Sequence, residues 1–338
     1  MKFVSFLDKN KNERAGLLIN NLIFDISKSA EKINLTVPVK MQDLLKDWSD
    51  TLLVSKEICK AFDHDKLEPE DISKITMLAP VPHPTSCRDG YAFRQHVSTA
   101  RRNRGLEMIP EFDQFPVFYF TNHNSIIGEG DLVVEKDHLE NLDFELETAI
   151  VISKEGRNIL AREADQYIAG YTIMNDFSAR VLQMDEMKLN LGPAKGKDFA
   201  TAIGPYLLTP DELEEYKIST DKGNKYNLSM KAYHNGKEIS SGNMQDMNWT
   251  YAELIERASY GVTLYPGDVI GSGTVGTGCY LELNGTNALK AKETGEKFTP
   301  VWLNDGDSME LEVTALGKLI HKIVKTKNDY SILEKKKL

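Results

Sequence analysis

Residues 143–152 of this 338-residue chain read Asp-Phe-Glu-Leu-Glu-Thr-Ala-Ile-Val-Ile and give the strongest indication of its fold. Acidic and apolar residues alternate as far as Glu147, which is the period of a β-strand. The side chains of Glu145 and Glu147 are therefore predicted to project from one face, with Cβ atoms about 6.5 Å apart. At that spacing the two carboxylates can share a hard divalent cation, or they can be charges that protect a strand edge from aggregation.

Short strands continue beyond this segment, and helical periodicity is scarce. Helical patterns are clearest over residues 178–188 and 250–259. Apolar or alternating runs predict strands over residues 117–120, 132–134, 168–175, 206–208, 228–233, 269–271, 280–283 and 309–314. The chain is therefore predicted to be an α+β protein composed mostly of β-structure.

The first 78 residues are predicted to form a small α/β domain. An Asn20-Asn21 turn tolerates the left-handed conformation that a hairpin requires. Strands are expected over residues 3–7, 16–18 and 22–26, followed by helices over 41–48 and 50–62. Alternating prolines at positions 80, 82 and 84 then form an extended connector. We place the domain boundary there, with residues 1–78 in the small domain and residues 79–338 in a metal-dependent catalytic domain.

The composition is that of an ordinary globular protein, with 27% charged and 41% hydrophobic residues. A net charge of −10 argues against nucleic acid as a main partner, because nucleic-acid-binding surfaces are basic. No apolar run approaches the roughly 18 residues of a membrane span, and the first residues lack the apolar core of a signal peptide. Cys59, Cys87 and Cys279 are widely spaced and form neither a disulfide framework nor a zinc motif. The cytoplasm is therefore the expected location.

The segment Gly271-Ser-Gly-Thr-Val-Gly276 matches the glycine pattern of dinucleotide-binding proteins. Such a site also needs a helix that opens at the loop and directs its N-terminus at the pyrophosphate. Residues 279–283 alternate like a strand, so the sequence argues against a nicotinamide or flavin site. The glycines instead favour a tight turn or a close approach to a ligand, to which Thr274 can offer its hydroxyl and amide groups.

A third acid, Asp176, closes the apolar run of residues 167–175. A buried carboxylate requires a charged partner or a cation, although Asp176 could instead cap the helix that begins at Ser178. Arg180 and Gln183 follow at i+4 and i+7, so a helix would present both beside the acid. That face could bind an anionic, oxygen-rich substrate.

A fourth acid, Asp89, opens a segment that ends in His96. A single histidine is more often structural than catalytic. A neutral imidazole nevertheless becomes an effective base when a carboxylate orients its second nitrogen. Glu282, which lies in the alternating residues after the glycine loop, is the candidate for that role.

In their order along the chain, these segments resemble fumarylacetoacetase and the wider fumarylacetoacetate hydrolase superfamily over residues 79–315. Any one motif is weak, whereas seven in the same order and spacing are specific. The seven are Asp89-x-Tyr91 with Arg94-Gln95-His96, Pro116-Val117-x-Tyr119, Glu145-x-Glu147, Asn175-Asp176-x-Ser178-Ala179-Arg180-x-x-Gln183, Gly196-Lys197-x-Phe199-x-Thr201, Leu264-x-Pro266-Gly267-Asp268, and Gly273-Thr274 with Leu281-Glu282.

The resemblance implies a distorted β-roll catalytic domain and the hydrolysis of a carbon–carbon bond in a 1,3-diketo acid. The typical reaction converts fumarylacetoacetate to fumarate and acetoacetate in tyrosine breakdown. Such cleavage needs a carbanion leaving group, which a cation can stabilise as an enolate. The ligands of Mg²⁺ or Ca²⁺ would be Asp89, Glu145, Glu147 and Asp176.

The same resemblance implies roles for other residues. His96, oriented by Glu282, would deprotonate the water that attacks the carbonyl carbon. The developing negative charge would be stabilised by Arg180, Gln183 and Lys197. Substrate carboxylates and carbonyls would be held by Tyr91, Arg104, Tyr119 and Thr274.

Other functions remain open at this point. A hydrolase of this type could act on an acylpyruvate or fumarylpyruvate, and a relative of the same fold could hydrate, decarboxylate or tautomerise a 2-oxo acid. The presence of both His96 and Glu282 favours hydrolysis. A cation-binding protein without catalytic activity would not require His96, Arg180 and Lys197.

The resemblance also implies a homodimer joined through the catalytic domains. The aromatic-rich segment 115–120 and the pair Ile126-Ile127 flank predicted site residues and are too apolar for an open loop surface. Two-fold pairing is the commonest way for soluble enzymes to bury such patches.

Overall fold

One large mixed sheet runs through the computed structural model, which describes residues 1–62 and 67–335. Within these residues eleven strands form this sheet, five form a second sheet, and the others form three two-stranded pairs. The strands are β1 Lys2–Leu7, β2 Glu13–Ile19, β3 Leu22–Asp25, β4 Thr76–Met77, β5 Cys87–Gly90, β6 Phe118–Thr121, β7 Ile126–Ile127, β8 Gly130–Val134, β9 Leu142–Asp143, β10 Leu146–Ile152, β11 Gly156–Arg157, β12 Ile168–Asp176, β13 Ser178–Ala179, β14 Thr201–Leu208, β15 Lys217–Thr220, β16 Gly223–Tyr226, β17 Ser229–His234, β18 Lys237–Asn243, β19 Thr263–Leu264, β20 Val269–Gly271, β21 Ser308–Val313 and β22 Gly317–Lys325.

Eight α-helices complete the described part of the chain. They are α1 Ile26–Lys32, α2 Met41–Lys46, α3 Trp48–Phe62, α4 Arg94–Arg102, α5 Ala161–Ala164, α6 Arg180–Met187, α7 Tyr251–Ser259 and α8 Tyr280–Thr294. Within residues 1–62 and 67–335, no helix is both long and apolar enough to cross a membrane. The predicted helices over residues 178–188 and 250–259 correspond to α6 and α7, and the α+β, mostly β class is confirmed.

Four strands at the centre of the large sheet position the acidic residues. In the strand order β3-β2-β1-β14-β12-β10-β20-β5-β6, every residue of β10 and β12 is buried. A strand covered on both faces has a nearly continuous apolar sequence, as both of these do. Asp176 is the last residue of β12, and Asp89 in β5 pairs with Gly271 at the end of β20. The acids therefore collect at one edge of the central strands.

The N-terminal strands extend the same large sheet. Lys2 and Phe3 of β1 pair with Leu208 and Leu207 of β14, and β4 pairs with β1. The predicted Asn20-Asn21 turn joins β2 to β3, with φ values of 48° and 63°. The two-domain division at residues 78 and 79 remains a prediction about folding units, since one sheet passes through both parts.

The predicted strand over residues 280–283 is wrong, because this segment is the first turn of α8. An alternation of so few residues fits a helix equally well when something satisfies the free N–H groups of the first turn. The buried carboxylate of Asp143 accepts hydrogen bonds from the N–H groups of Tyr280 at 2.7 Å and Leu281 at 2.9 Å. Gly295, at φ 72°, ends the helix. The group that caps the helix is therefore remote in sequence, where a local pattern cannot reveal it.

Candidate active site

Four carboxylates meet at the edge of the central strands. Asp89, Glu145, Glu147 and Asp176 each offer an oxygen, and these oxygens all lie within 4.8 Å of one another. Each of the four residues is at most 7% exposed. The structure thus places together the four residues predicted as cation ligands, which we call the carboxylate cluster.

The two glutamates reach the carboxylate cluster from different backbone positions. Glu147 lies within β10, opposite Met174 of β12, whereas Glu145 precedes the first residue of that strand. The backbone N–H of Glu145 donates to the side-chain oxygen of Asn175 at 3.0 Å. This hydrogen bond replaces the ladder contact that a strand residue would make, so the spacing of the two acids is preserved at the strand end.

Crowding of buried carboxylates shifts their pKa values. Burial raises the pKa of Asp89 to about 8, and the negative charge of Asp176 adds to the effect. Burial also raises the pKa of Glu147 well above its usual value, with a further contribution from the charge of Asp89. The carboxylate cluster therefore contains closely spaced acids whose negative charge must be neutralised by bound protons or a cation.

The donor atoms of the carboxylate cluster fit a hard divalent cation. Carboxylate oxygens are the preferred ligands of Mg²⁺, Ca²⁺ and Mn²⁺, and this cluster contains no thiol or imidazole. Within the described residues, Oδ1 of Asp176 is buried and has no hydrogen-bond partner. An unpaired buried carboxylate oxygen is energetically costly, and an ion bound at the cluster would satisfy it.

Two buried cationic side chains contact the carboxylate cluster. The Lys197 ammonium donates to Asp176 at 2.6 Å and also to Glu145. Arg180 donates to Glu145 at 2.8 Å and to the side-chain oxygen of Gln183 at 2.9 Å. Burial favours a raised pKa for Glu145, but the charges of Lys197 and Arg180 outweigh it and lower the pKa to about 2. Three predicted residues, Arg180, Gln183 and Lys197, thus lie together at the cluster.

Asp143 is a residue of the site that the sequence prediction missed. Its carboxylate is fully buried and accepts a hydrogen bond from Nε of Arg180 at 2.8 Å. The same carboxylate caps α8, so it holds both the guanidinium and the helix start in place. A signal was available, since Asp143 has the same position in the alternating run as Glu145 and Glu147.

His96 and Glu282 form a buried pair beside the carboxylate cluster. Nδ1 of His96 lies 2.7 Å from Oε2 of Glu282, and Oε1 of Glu282 accepts the backbone N–H of Thr277 at 2.9 Å. His96 lies in α4, a helix that the sequence patterns do not predict. Glu282 lies in the first turn of α8 rather than in the strand predicted for it. The pairing itself agrees with the sequence prediction.

The four residues predicted to bind substrate surround these groups. The hydroxyl of Tyr119 donates to Asp176, and that of Thr274 donates to Glu147 at 3.3 Å. Burial raises the pKa of Tyr91 to about 12, so its hydroxyl stays protonated and can donate a hydrogen bond. Arg104 lies just past the end of α4, is exposed, and donates through Nε to a backbone carbonyl at 3.1 Å.

Most of these groups line one cavity of 1170 Å³. Among the predicted site residues, Glu147, Asp176 and Glu282 are the ones that do not line it. These three contact lining residues from behind, through Thr274, Lys197 and His96 respectively. The predicted residues therefore form a single site, in which most line the cavity and three support the lining residues from behind.

A sequence profile of the fumarylacetoacetate (FAA) hydrolase C-terminal family matches residues 85–324. The chain belongs to this family. It is 30% identical over 292 residues to the mitochondrial oxaloacetate tautomerase FAHD2A of Homo sapiens, across 86% of this chain and 81% of that protein. The predicted membership in the fumarylacetoacetate hydrolase superfamily is confirmed.

Solved structures share the fold of this family member. The fumarylacetoacetate hydrolase of Exiguobacterium antarcticum gives a TM-score of 0.66 at 21% identity, over 96% of this chain and 100% of that one. The maleylpyruvate hydrolase of Sphingobium sp. SYK-6, solved with manganese(II) and pyruvate, gives 0.67 at 20% identity, over 97% and 100%. At these identities the likeness shows a common fold, which confirms the predicted fold of the family.

In this family member the glycine-rich loop supports the carboxylate cluster. The N–H of Gly273 donates to Asp89 and to Glu147, both at 3.1 Å. A Cβ at Gly273 would lie 2.6 Å from a backbone carbonyl oxygen, and its φ of 80° also favours glycine. The predicted strand after the loop, which argued against a dinucleotide site, is wrong because α8 follows the loop. The N–H groups that a pyrophosphate would need instead donate to carboxylates, and β20 pairs antiparallel with β10 and parallel with β5.

Proposed function

We propose that this protein is a metal-dependent hydrolase that cleaves a carbon–carbon bond in a 1,3-diketo acid. The observation that carries the proposal is the buried His96–Glu282 pair, whose imidazole lines the same cavity as the carboxylate cluster. A cation site accounts for the departure of a carbanion equivalent, and a histidine–carboxylate pair accounts for the activation of water. Hydrolysis of a 1,3-diketone by this route uses both.

The cation that we propose is Mg²⁺ or Ca²⁺, held by the four acids of the carboxylate cluster. When bound, it would supply a fixed positive charge that stabilises the enolate of the 1,3-diketone. The manganese(II) ion in the related maleylpyruvate hydrolase supports a divalent cation of this kind. The buried Oδ1 of Asp176 supports the same site from this chain's own geometry.

Glu282 determines which nitrogen of His96 acts as the base. Its carboxylate accepts a hydrogen bond from the N–H group at Nδ1 of His96. The neutral ring therefore carries its proton on Nδ1 and leaves Nε2 free to act as the base. Nε2 removes a proton from water, and the water oxygen attacks the acyl carbonyl carbon. When the carbon–carbon bond breaks, its electron pair remains in the enolate, and the imidazolium returns the proton to that carbon. One water is consumed, and a carboxylic acid and a shorter oxo acid are released.

The remaining polar groups orient the substrate and its developing oxyanion. Arg180 uses the oxygen of the Gln183 amide, so the NH₂ group of Gln183 can donate to substrate. Lys197 and Arg180 bring positive charge to the reacting carbonyl while they remain paired with buried acids. Arg104 and Tyr91 are suited to the carboxylate of the oxo acid. Fumarylacetoacetate, fumarylpyruvate and acylpyruvates all carry such a carboxylate.

A second candidate function is tautomerisation of a 2-oxo acid. It is favoured by the 30% identity to a human oxaloacetate tautomerase across most of both chains. Both reactions need a stabilised enolate and a base, but a tautomerase returns the proton without any attack by water. Release of a carboxylic acid that carries water oxygen therefore separates the two reactions, because a tautomerase breaks no carbon–carbon bond.

The test uses the purified full chain, loaded with Mg²⁺, Ca²⁺ or Mn²⁺ or treated with a chelator. Fumarylacetoacetate, fumarylpyruvate, acetylpyruvate and the enol of oxaloacetate are offered in turn, in water labelled with ¹⁸O. We expect metal-dependent cleavage of a diketo acid, with one labelled oxygen in the released acid. Conversion of enol oxaloacetate without cleavage of any diketo acid would replace hydrolysis by tautomerisation.

A further inference from the structure

The cavity offers much more space than its polar groups require. Its volume of 1170 Å³ exceeds the roughly 300–1,000 Å³ that is common for small-molecule sites. A short oxo acid that reaches both the carboxylate cluster and His96 would occupy only a fraction of it. The lining of the remaining space therefore indicates what else the substrate carries.

Helix α8 contributes an apolar strip to this space. Leu281, Gly285 and Ala288 line the cavity from one face of the helix. The polar Asn284, which also lines the cavity, is hydrogen-bonded to the segment that follows the helix. Glu282, the next residue after Leu281, points instead to His96. The apolar strip thus begins directly beside the catalytic pair.

The segment that follows α8 continues the apolar lining. Its alternate residues Phe298, Pro300 and Trp302 all line the cavity. The side chain of Asn284 holds the segment to α8, because it donates to the backbone oxygen of Val301 at 2.8 Å and accepts its N–H at 3.0 Å. This part of the lining is therefore fixed in place rather than loosely apposed.

Helix α6 supplies a further apolar strip. Val181, Met184 and Met187 line the cavity at intervals of three residues, next to Arg180 and Gln183 of the same helix. Methionine side chains are flexible and adapt to different apolar shapes. Each of the two helices therefore carries polar groups for the reaction and, beside them, apolar groups for a substituent.

Charge in the cavity argues against a second carboxylate on the substrate. Arg180, Lys188 and Lys197 line the cavity, but each is already paired with an acidic side chain. Of the cationic lining residues in the described chain, Arg104 alone has a carbonyl rather than a carboxylate as partner. One substrate carboxylate therefore finds Arg104, whereas a second would meet only cations that already have acidic partners.

From this lining we infer that the cavity contains an acyl subsite for a bulky apolar group, formed by α6, α8 and the segment 298–302. The substrate is then a 2,4-dioxo acid with an alkyl or aromatic acyl group rather than a second carboxylate. The inference rests on the proposed hydrolase function. It narrows the substrate class, because fumarylacetoacetate and fumarylpyruvate carry a charge where the subsite is apolar.

The test compares kcat/KM for acetyl-, butanoyl-, hexanoyl- and benzoylpyruvate with that for fumarylpyruvate, using the metal-loaded enzyme. Burial of each added methylene should raise kcat/KM about two- to fourfold until the subsite is filled. Hexanoylpyruvate should exceed fumarylpyruvate by at least about tenfold on the same basis. A flat series, or a preference for fumarylpyruvate, would overturn the acyl subsite.

A pair of variants on α8 locates the effect. Ala288→Glu places a carboxylate in the apolar strip at an exposed position, and it should reduce the hexanoyl-to-acetyl ratio of kcat/KM severalfold. Asn287→Glu adds the same charge one residue away, outside the cavity lining, and should keep the ratio. Equal ratios in the two variants would refute the assignment.

Equilibrium binding separates this inference from the hydrolase proposal. If no diketo acid is cleaved, the hydrolase proposal fails, and binding of unreactive 2-oxo acids still tests the subsite. The metal-loaded protein should bind 2-oxooctanoate at least about tenfold more tightly than pyruvate. Equal affinities would show that the apolar lining does not contact the substituent.

Discussion

The substitution Glu282→Gln tests the proposed base most directly. The backbone N–H of Thr277 donates to Oε1 of Glu282 at 2.9 Å, and the other oxygen faces Nδ1 of His96 at 2.7 Å. In the variant, the amide oxygen must stay with the Thr277 N–H, because an NH₂ group there would face another donor. The NH₂ group then faces His96 and donates to Nδ1. The ring must in turn carry its proton on Nε2, which removes the base from the cavity.

The size of the effect follows from the same geometry. In the wild type, proton transfer to His96 places an imidazolium next to the carboxylate of Glu282. Two opposite charges about 4 Å apart interact by about 4 kcal/mol at an effective dielectric constant of about 20. That energy corresponds to about 10³ in rate, and the altered tautomer acts in the same direction. We therefore expect kcat to fall by at least about 10²–10³.

The assay is steady-state cleavage of whichever diketo acid the wild type hydrolyses, with metal saturating. Metal affinity, measured by calorimetry, should be unchanged because Glu282 does not belong to the carboxylate cluster. Glu293→Gln removes the same charge from an exposed position in the last turn of α8 and serves as the matched control. A Glu282→Gln enzyme whose kcat stays within about threefold of the control would refute the role of the pair.

Three further predictions concern the cation and the assembly. Burial raises the pKa of Asp89 to about 8 and that of Glu147 well above its usual value, so metal binding must displace at least one proton. The metal affinity measured by calorimetry should therefore fall by at least roughly tenfold per pH unit below about pH 8. Equal affinities at about pH 6.5 and pH 8.5 would contradict this prediction. Lys197→Met leaves the buried Asp176 without its cation and Glu145 with Arg180 alone, so thermal unfolding of the metal-free variant should show a loss of roughly 3–5 kcal/mol. Saturating Mn²⁺ should restore most of this loss, and an unchanged melting temperature would contradict the pairing. Light scattering should give close to twice the chain mass of 38.1 kDa, because exposed apolar residues of the segment 115–120 lie at the edge of the large sheet; a fully active monomer would exclude the homodimer.

The carboxylate cluster was accessible from the sequence because its information is largely local. The alternation around Glu145 and Glu147 is set by the strand period, and Asp176 was conspicuous as an acid at the end of an apolar run. The pattern of single segments therefore indicates candidate ligands. The grouping of all four acids could be predicted only from the resemblance to a family. Asp89 lies in β5, whose sequence carries no local pattern that is typical of a metal site.

The start of α8 could not be predicted because its determinant is not local. Residues 279–283 fit either a strand or a helix, and Asp143 selects the helix from 137 positions away along the chain. The sequence predicts the N-terminal strands but not their pairing partner in the large sheet. Pairing of β1 with β14 joins residues about 200 positions apart, which a local pattern cannot indicate. Local patterns gave the elements, and long-range contacts decided how they are capped and joined.

The placement of Asp143 explains how two parts of the site stay aligned. Its carboxylate receives the guanidinium of Arg180, which itself contacts Glu145 of the carboxylate cluster. The same carboxylate holds the first turn of α8, which carries Glu282 and hence orients His96. A buried, fully bonded carboxylate has little freedom to move, because each displaced hydrogen bond would leave a polar group unpaired. Asp143 therefore anchors both the cation ligands and the base. This common anchor keeps the distance between them suited to a single substrate.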